Sequence, residues 1–401
     1  MFRHQSSSNH VMSAMSYSSM SSSYSNQPVN QTEEMDISEP DTQSDYITGN
    51  IDPTIESEVA NDSPTRFRCA LCFFGLPRSY SSIVLPSIEK NILDPNAKYQ
   101  CDIFVHYFHQ TQEAAGRYNN GGSINPDEIF LLKPAVIERF NETLIENASE
   151  KNYSRMTLLF ANDTNATFYE KRASDLHRYH TTLDSEGNPK YFPWKAPTWQ
   201  TSSLDNMIRQ WHSVEAVFGM MTEYANRHNI EYKRVAMLRN DVCYVTPVDI
   251  MKLDGGKFDD KNAFFVIPNF AKWPVNDRMI YGPYEAVKIW ATQRFRLMEE
   301  RVETKPDVGW NMHSERFMKA SILPAMKALG YRKSVSSDIC FFRTRTKGML
   351  MTSDCFQKGK IRGFIQHQKP NIKKIVEDTV GRNCSNVIID MENKRFHYMF
   401  C

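Results

Sequence analysis

The sequence predicts an α/β domain, a mostly parallel, doubly wound sheet with helices on both faces, behind a disordered N-terminal tail. Three observations predict it. Short continuous apolar runs, such as RFRCALCFF at 66–74 and CDIFVHYF at 101–108, are bounded by turn residues and have the length of strands buried on both faces. Segments with apolar residues at three- and four-residue spacing fall between these runs, and that alternation builds a parallel sheet with crossover helices. Residues 1–65 are polar: eleven Ser fall in the first 30 positions, and residues 31–65 hold ten Asp or Glu and no Lys or Arg. Such a stretch cannot bury enough apolar area to offset the entropy of ordering it.

The domain, 66–401, opens with a strand over 66–74, closed by the turn Gly75-Leu76-Pro77-Arg78. Ile83, Val84, Leu85, Ile88 and Ile92 give helical spacing over 81–92, and a second strand runs over 101–108. After a Gly/Asn-rich loop, 128–132 reads as a third strand closed by Pro134. Residues 110–200 read as an insertion or variable region. The clearest helix runs from about 204 to 227, with Leu204, Met207, Ile208, Trp211, Val214, Phe218 and Met221 on one face and Ser202 or Ser203 as its cap. Strands follow over 234–238, 244–248 and 263–267, then a helix over 284–301, a helix from Ser314 through Ile322, and a last strand over 338–343.

The whole-chain charge of +1 hides an asymmetry: one Arg against ten acids in the tail, and 47 basic against 37 acidic residues in the remainder. A basic domain suits phosphate-bearing ligands. No Lys/Arg stripe with interleaved aromatics appears, so nucleic acid is not an expected partner. No run of ~18 apolar residues predicts a transmembrane helix, and no hydrophobic leader is visible. Eight N-x-S/T sequons occur, five of them at Asn141, Asn147, Asn152, Asn162 and Asn165, which hints at the secretory pathway and conflicts with the missing leader. Of the eight Cys, Cys69 and Cys72 have CxxC spacing. In a strand those positions face opposite sides, and the expectation is two small buried residues rather than a metal site.

In an open parallel sheet, ligands bind at the carboxyl ends of the strands. That rule selects Gly75, Pro77 and Arg78 after the first strand and His106 at the end of the second. In the turn, Gly permits close backbone approach and Arg holds phosphate bidentately. It also selects Arg239, Asn240 and Asp241 after the strand 234–238. A carboxylate there can hold a divalent cation that neutralises a diphosphate leaving group. The same carboxylate can instead cap a turn or pair with Arg239. Trp273, Asn276, Asp277 and Arg278 form a sugar-stacking type of loop, or a structural one in which Asp277 pairs with Arg278. Glu315, in the first turn of its helix, can take a proton from a hydroxyl, and the helix dipole alone also favours it there. No GxSxG, HExxH or kinase motif set is present.

The order of these pieces, CALCFFGLPRSY, CDIFVHYF, the long helix with RQW, YKRVAMLRNDVCYVTPVDI, FFVIPNFAKWPVNDRMIYGPYEAVKIW, HSERFMKASI and DICFFRTRTKG, resembles the GT-A-type glycosyltransferase superfamily over roughly residues 66–345. It is similar in particular to a poorly characterised nucleotide-diphospho-sugar transferase-like family. The resemblance implies a Rossmann-like fold and a nucleotide-sugar donor. It implies a glycan, protein or lipid acceptor and a secretory or Golgi location. It puts Asp241 at the metal and diphosphate position, Arg78 near the nucleotide and Asn276–Arg278 at the sugar or acceptor. Joined to the residues selected above, the candidate set is Asp241, Asp277 and Glu315 as catalytic residues, Gly75, Pro77, Arg78, His106 and Arg239 near the donor, and Trp273, Asn276 and Arg278 at the sugar or acceptor. The implied cofactor is Mn2+ or Mg2+. The first position of the expected acidic triplet is Arg239 rather than an acid, which leaves a second expectation open: a non-catalytic protein of this fold that binds glycan or a protein partner. A cytosolic nucleotide-binding regulator is a third.

Overall fold

The structure, a computed structural model, describes residues 68–401 except 115–120, 147–155, 194–200, 253–263, 273, 307–308, 356–371, 386–387 and 390–396. The expected tail, 1–65, lies outside the described residues.

A seven-stranded sheet forms the centre. Its strands are β1 (Arg68–Gly75), β2 (Asp102–Phe108), β5 (Leu158–Asp163), β6 (Tyr232–Arg239), β8 (Phe264–Pro268), β9 (Ile280–Pro283) and β10 (Arg332–Ser336), in the order β10-β8-β9-β6-β1-β2-β5. All described pairings are parallel except those of β9, which runs antiparallel to β6 and β8. Alternation along β1 separates two cores. Leu71 and Phe73 face one with Val105 and Leu238, while Ala70, Cys72 and Phe74 face the other with the long helix Thr201–Arg227. That helix lays the fully buried Leu204, Ile208, Trp211 and Val214 on β1 and β2, as its periodicity predicts. β3 (Gln112–Glu113) and β4 (Gly122–Ser123) make a small hairpin. β7 (Val242–Tyr244), β11 (Phe341–Arg345), β12 (Met349–Met351), β13 (Ile388–Ile389) and β14 (His397–Phe400) make an antiparallel sheet in the order β13-β14-β12-β11-β7.

Four expectations change. Residues 128–132 are helical: a 3-10 turn, Pro126–Leu131, runs into the helix Leu132–Glu146. The Asn125 side chain accepts the Asp127 N–H, Pro126 takes the first position, and Pro134 falls in the first turn of the helix, where a missing N–H costs little. The strand missing there is β5, inside the region that read as variable; its outer residues are only partly buried, so it lacks the dense apolar signature of β1. The helix 284–301 is two, Tyr284–Thr292 and Arg294–Thr304, broken at Gln293, where Arg294 turns into the core and its Nε donates to the Trp290 carbonyl. The strand placed over 244–248 is β7, centred three residues earlier, and the last strand belongs to the second sheet.

Cys69 is buried as expected but is not a lone thiol. It is bonded to Cys101, joining the start of β1 to the entry of β2. Cys340–Cys355 clasps the β11–β12 hairpin, and Cys384–Cys401 ties down β14. Cys72 and Cys243 are free and buried.

Candidate functional site

β1 and β6 lie side by side in parallel, with Phe74 opposite Arg239, so the Gly75 turn and Asn240–Asp241 emerge together. Gly75 has φ +121°, and a Cβ on it would stand 3.0 Å from Asn240 Oδ1. Only glycine lets the two chain exits approach this closely. Arg78 then reaches across. Its Nη1 donates to Asp241 Oδ2 at 2.6 Å and its Nε to Glu113 Oε1 at 2.8 Å. Arg239 closes on the same carboxylate from its own strand, Nε to Oδ1 at 2.6 Å and Nη2 to Oδ2 at 2.7 Å, while its Nη1 donates to Gln210 Oε1.

Burial alone would raise the Asp241 carboxyl. The Arg239 guanidinium, followed by Arg78 and Arg345, more than offsets it and holds Asp241 down at about 2. Arg345 on β11 is lowered to about 9, first by burial and then by the like charges of Arg78 and Arg343. β9 is antiparallel to its neighbours, so the residues that enter it, Asn276–Arg278, lie at the edge where those neighbours end. Asp277 accordingly acts electrostatically on Arg239 and on Glu315. Burial and then Asp277 push the Glu315 carboxyl up to about 8 against the pull of Arg278 and Arg343. His313 Nδ1 lies 3.3 Å from Glu315 Oε2. With Glu315 protonated, five guanidiniums (Arg78, Arg239, Arg278, Arg343 and Arg345) stand against the three carboxylates of Glu113, Asp241 and Asp277. The surplus favours an anion. The amide of Asn240 is fully buried beside Gly75, and neither its nitrogen nor its oxygen meets a hydrogen-bond partner among the described residues.

Of the residues expected at the site, Gly75, Arg78, Arg239, Asp241, Asp277, Arg278 and Glu315 come together. Pro77 is buried in the turn. Asn276 is used by its own loop, its Nδ2 donating to the Phe270 carbonyl and its Oδ1 accepting the Arg278 N–H. Trp273 lies outside the described residues. Sequence reasoning missed Glu113, Gln210, Arg343 and Arg345. The alternation of RTR in β11 carried a signal for the last two, since it sends both arginines to one face.

His106 sits one layer deeper. His106, Asp163 and His212 are all buried, and their ligand-type atoms lie within 4.8 Å of one another, so the group could hold a metal ion. In this structure hydrogen bonds use those atoms. Asp163 Oδ2 receives His106 Nε2 at 3.1 Å and His212 Nε2 at 2.6 Å, and its Oδ1 receives Thr167 Oγ1 and Lys171 Nζ, each at 2.8 Å. Burial would raise the Asp163 carboxyl, but these four donors drive it far below the usual carboxylate range. Burial lowers the His106 imidazole. Comparison with known proteins finds no family model and no curated protein that matches the chain.

Proposed function

We propose that the chain is a glycosyltransferase of GT-A type that moves a sugar from a nucleoside-diphosphate donor to a hydroxyl on a glycan, protein or lipid. The observation that carries the reading is the arginine cluster around Asp241 at the carboxyl edge of a parallel sheet, where ligands of this architecture bind. In the proposed reaction Arg78, Arg239 and Arg345 hold the charge that develops on the diphosphate as the bond from the sugar's anomeric carbon to its oxygen breaks. Glu315 takes the proton of the acceptor hydroxyl as the new glycosidic bond forms. Asp277 keeps Glu315 basic. Asn240 offers the donor an amide.

The residues at Asp241 do not fit the expected divalent cation, because both carboxylate oxygens already accept guanidinium hydrogens. The proposed leaving-group chemistry is therefore arginine-based. The single acid, saturated by arginines, equally supports a non-catalytic protein of the same fold. A thermal-shift series with uridine and guanosine diphosphates and their sugar conjugates, run in Mn2+ and in EDTA, tests both. A nucleotide at 100 times its dissociation constant adds ~2.7 kcal/mol. A shift that survives EDTA, with slow release of sugar, is expected. A shift without sugar release selects the binding protein, and no shift with any nucleotide removes the donor site.

The three disulfides and the exposed Asn162 and Asn165 of the sequon cluster support an oxidising, secretory compartment. The expected result, for protein made in its native host, is a gel shift on endoglycosidase treatment and a second shift on reduction. Protein that shows neither shift belongs to a reducing compartment.

A further inference from the structure

The deeper cluster touches the proposed donor site through one atom. His106 Nδ1 lies 2.8 Å from Ser213 Oγ, and Ser213 Oγ accepts the backbone N–H of Gly75 at 3.1 Å. His106 belongs to β2, Asp163 to β5 and Ser213 to the long helix, so three elements converge on the first residue of the turn that carries Arg78.

The proton positions follow from the donors. Arg172 Nε can only donate, and it points at His212 Nδ1 from 3.0 Å. His212 therefore carries its proton on Nε2, aimed at Asp163. A metal ion would need the Nε2 lone pair, with a proton on Nδ1 facing Arg172, where no acceptor stands. Lys171 already supplies a cation to Asp163. His106 completes the same pattern: Nε2–H donates to Asp163, which leaves Nδ1 to accept the Ser213 hydroxyl. The order Ser213–His106–Asp163 is that of a hydrolase triad, yet Ser213 is fully buried and its oxygen is occupied by Gly75, so no substrate carbonyl can reach it.

We propose that Asp163, His106 and Ser213 form a metal-free buried relay whose role is to fix the Gly75 amide, and with it the direction in which Arg78 leaves the turn. These are positioning residues. The glycine is the weak point that needs them: its φ of +121° is one that side-chain-bearing residues rarely adopt, and a Cβ there would stand 3.0 Å from Asn240 Oδ1, so no side chain stiffens the turn. An ordered serine hydroxyl, oriented by an imidazole that a saturated carboxylate holds in one tautomer, supplies that restraint without occupying the ligand's space.

The claim that the relay serves anion binding rests on the donor-site reading above; the claim that it fixes the turn does not. The test uses the full chain and two probes, inorganic pyrophosphate by calorimetry and hydrogen exchange of the Gly75–Arg78 segment. Ser213→Ala is expected to speed exchange at Gly75 and weaken pyrophosphate about tenfold, while Ser213→Thr, which keeps the hydroxyl, restores both. On the unmutated protein, nitrogen NMR of the imidazoles should report Nε2–H on both His106 and His212, and added Co2+ should give no tetrahedral absorption band. Unchanged exchange in Ser213→Ala overturns the relay. So does stoichiometric Co2+ uptake that His212→Asn abolishes, which would make the cluster a metal centre. Wild-type protein that ignores pyrophosphate while Ser213→Ala still speeds exchange removes the donor reading and keeps the relay.

Discussion

Asp241→Asn is expected to cost about 3 kcal/mol of stability and at least tenfold in nucleotide-diphosphate affinity. The side chain is fully buried and takes three guanidinium hydrogen bonds from Arg78 and Arg239. Asn keeps the shape but leaves Arg239 without the carboxylate it grips and Arg78 with Glu113 alone. Breaking such a pair from one side costs more than the pair itself contributes, because the stranded charge remains. Asp241 sits well below its unfolded value, so its contribution is present above the ordinary carboxylate range and lost as pH falls toward about 2. The variant should therefore show a smaller loss of stability than wild type between pH 5 and 2. Urea unfolding at several pH values reads the first effect, and calorimetry with the diphosphate reads the second. A variant that binds diphosphate more tightly would mean that Asp241 merely competes with the ligand for the arginines and does not organise them.

The sequence made the strand–helix alternation legible because β1, β2 and the long helix carry strong, unbroken patterns, and the carboxyl-edge rule then found Arg78, Arg239 and Asp241 without their contacts. It could not show β5, whose apolar residues are only partly buried, nor the antiparallel insertion of β9, because four residues carry no direction. Pairing of the cysteines was hidden for a similar reason: Cys69 reads as one half of CxxC, and its partner is 32 residues away. The arginines of β11 were visible as residues, but only the β7–β11 pairing, which sets Phe341 against Tyr244, brings them to Asp241.

Glu315→Gln is expected to remove at least a hundredfold of sugar transfer, the usual scale of a general base. In wild type the rate should climb with pH and level off above about 8, where Glu315 becomes ionised. The Gln variant should lack that rise. Stability provides a second reading. The carboxyl is raised in the folded protein, so the fold holds a proton that the unfolded chain releases. The associated stability is full below about 4.5 and lost as pH climbs through 8. With 17% of the side chain exposed, the loss is discounted to roughly 2–3 kcal/mol. Denaturant midpoints of wild type and variant should thus diverge between pH 5 and 9, the variant staying flatter. Parallel curves would show that Glu315 is ionised throughout and leave it as an ordinary helix-terminus acid.

The Cys340–Cys355 bond clasps the hairpin whose first strand delivers Arg343 and Arg345. Two of the five guanidiniums thus hang on a cross-link that is buried at both of its cysteines. Opening it leaves the parallel sheet, Arg78 and Arg239 covalently untouched, and loosens only the β11 side of the charge cluster. On the proposed donor-site reading, calorimetry on fully reduced protein is therefore expected to find diphosphate bound more weakly, with the parallel sheet still folded.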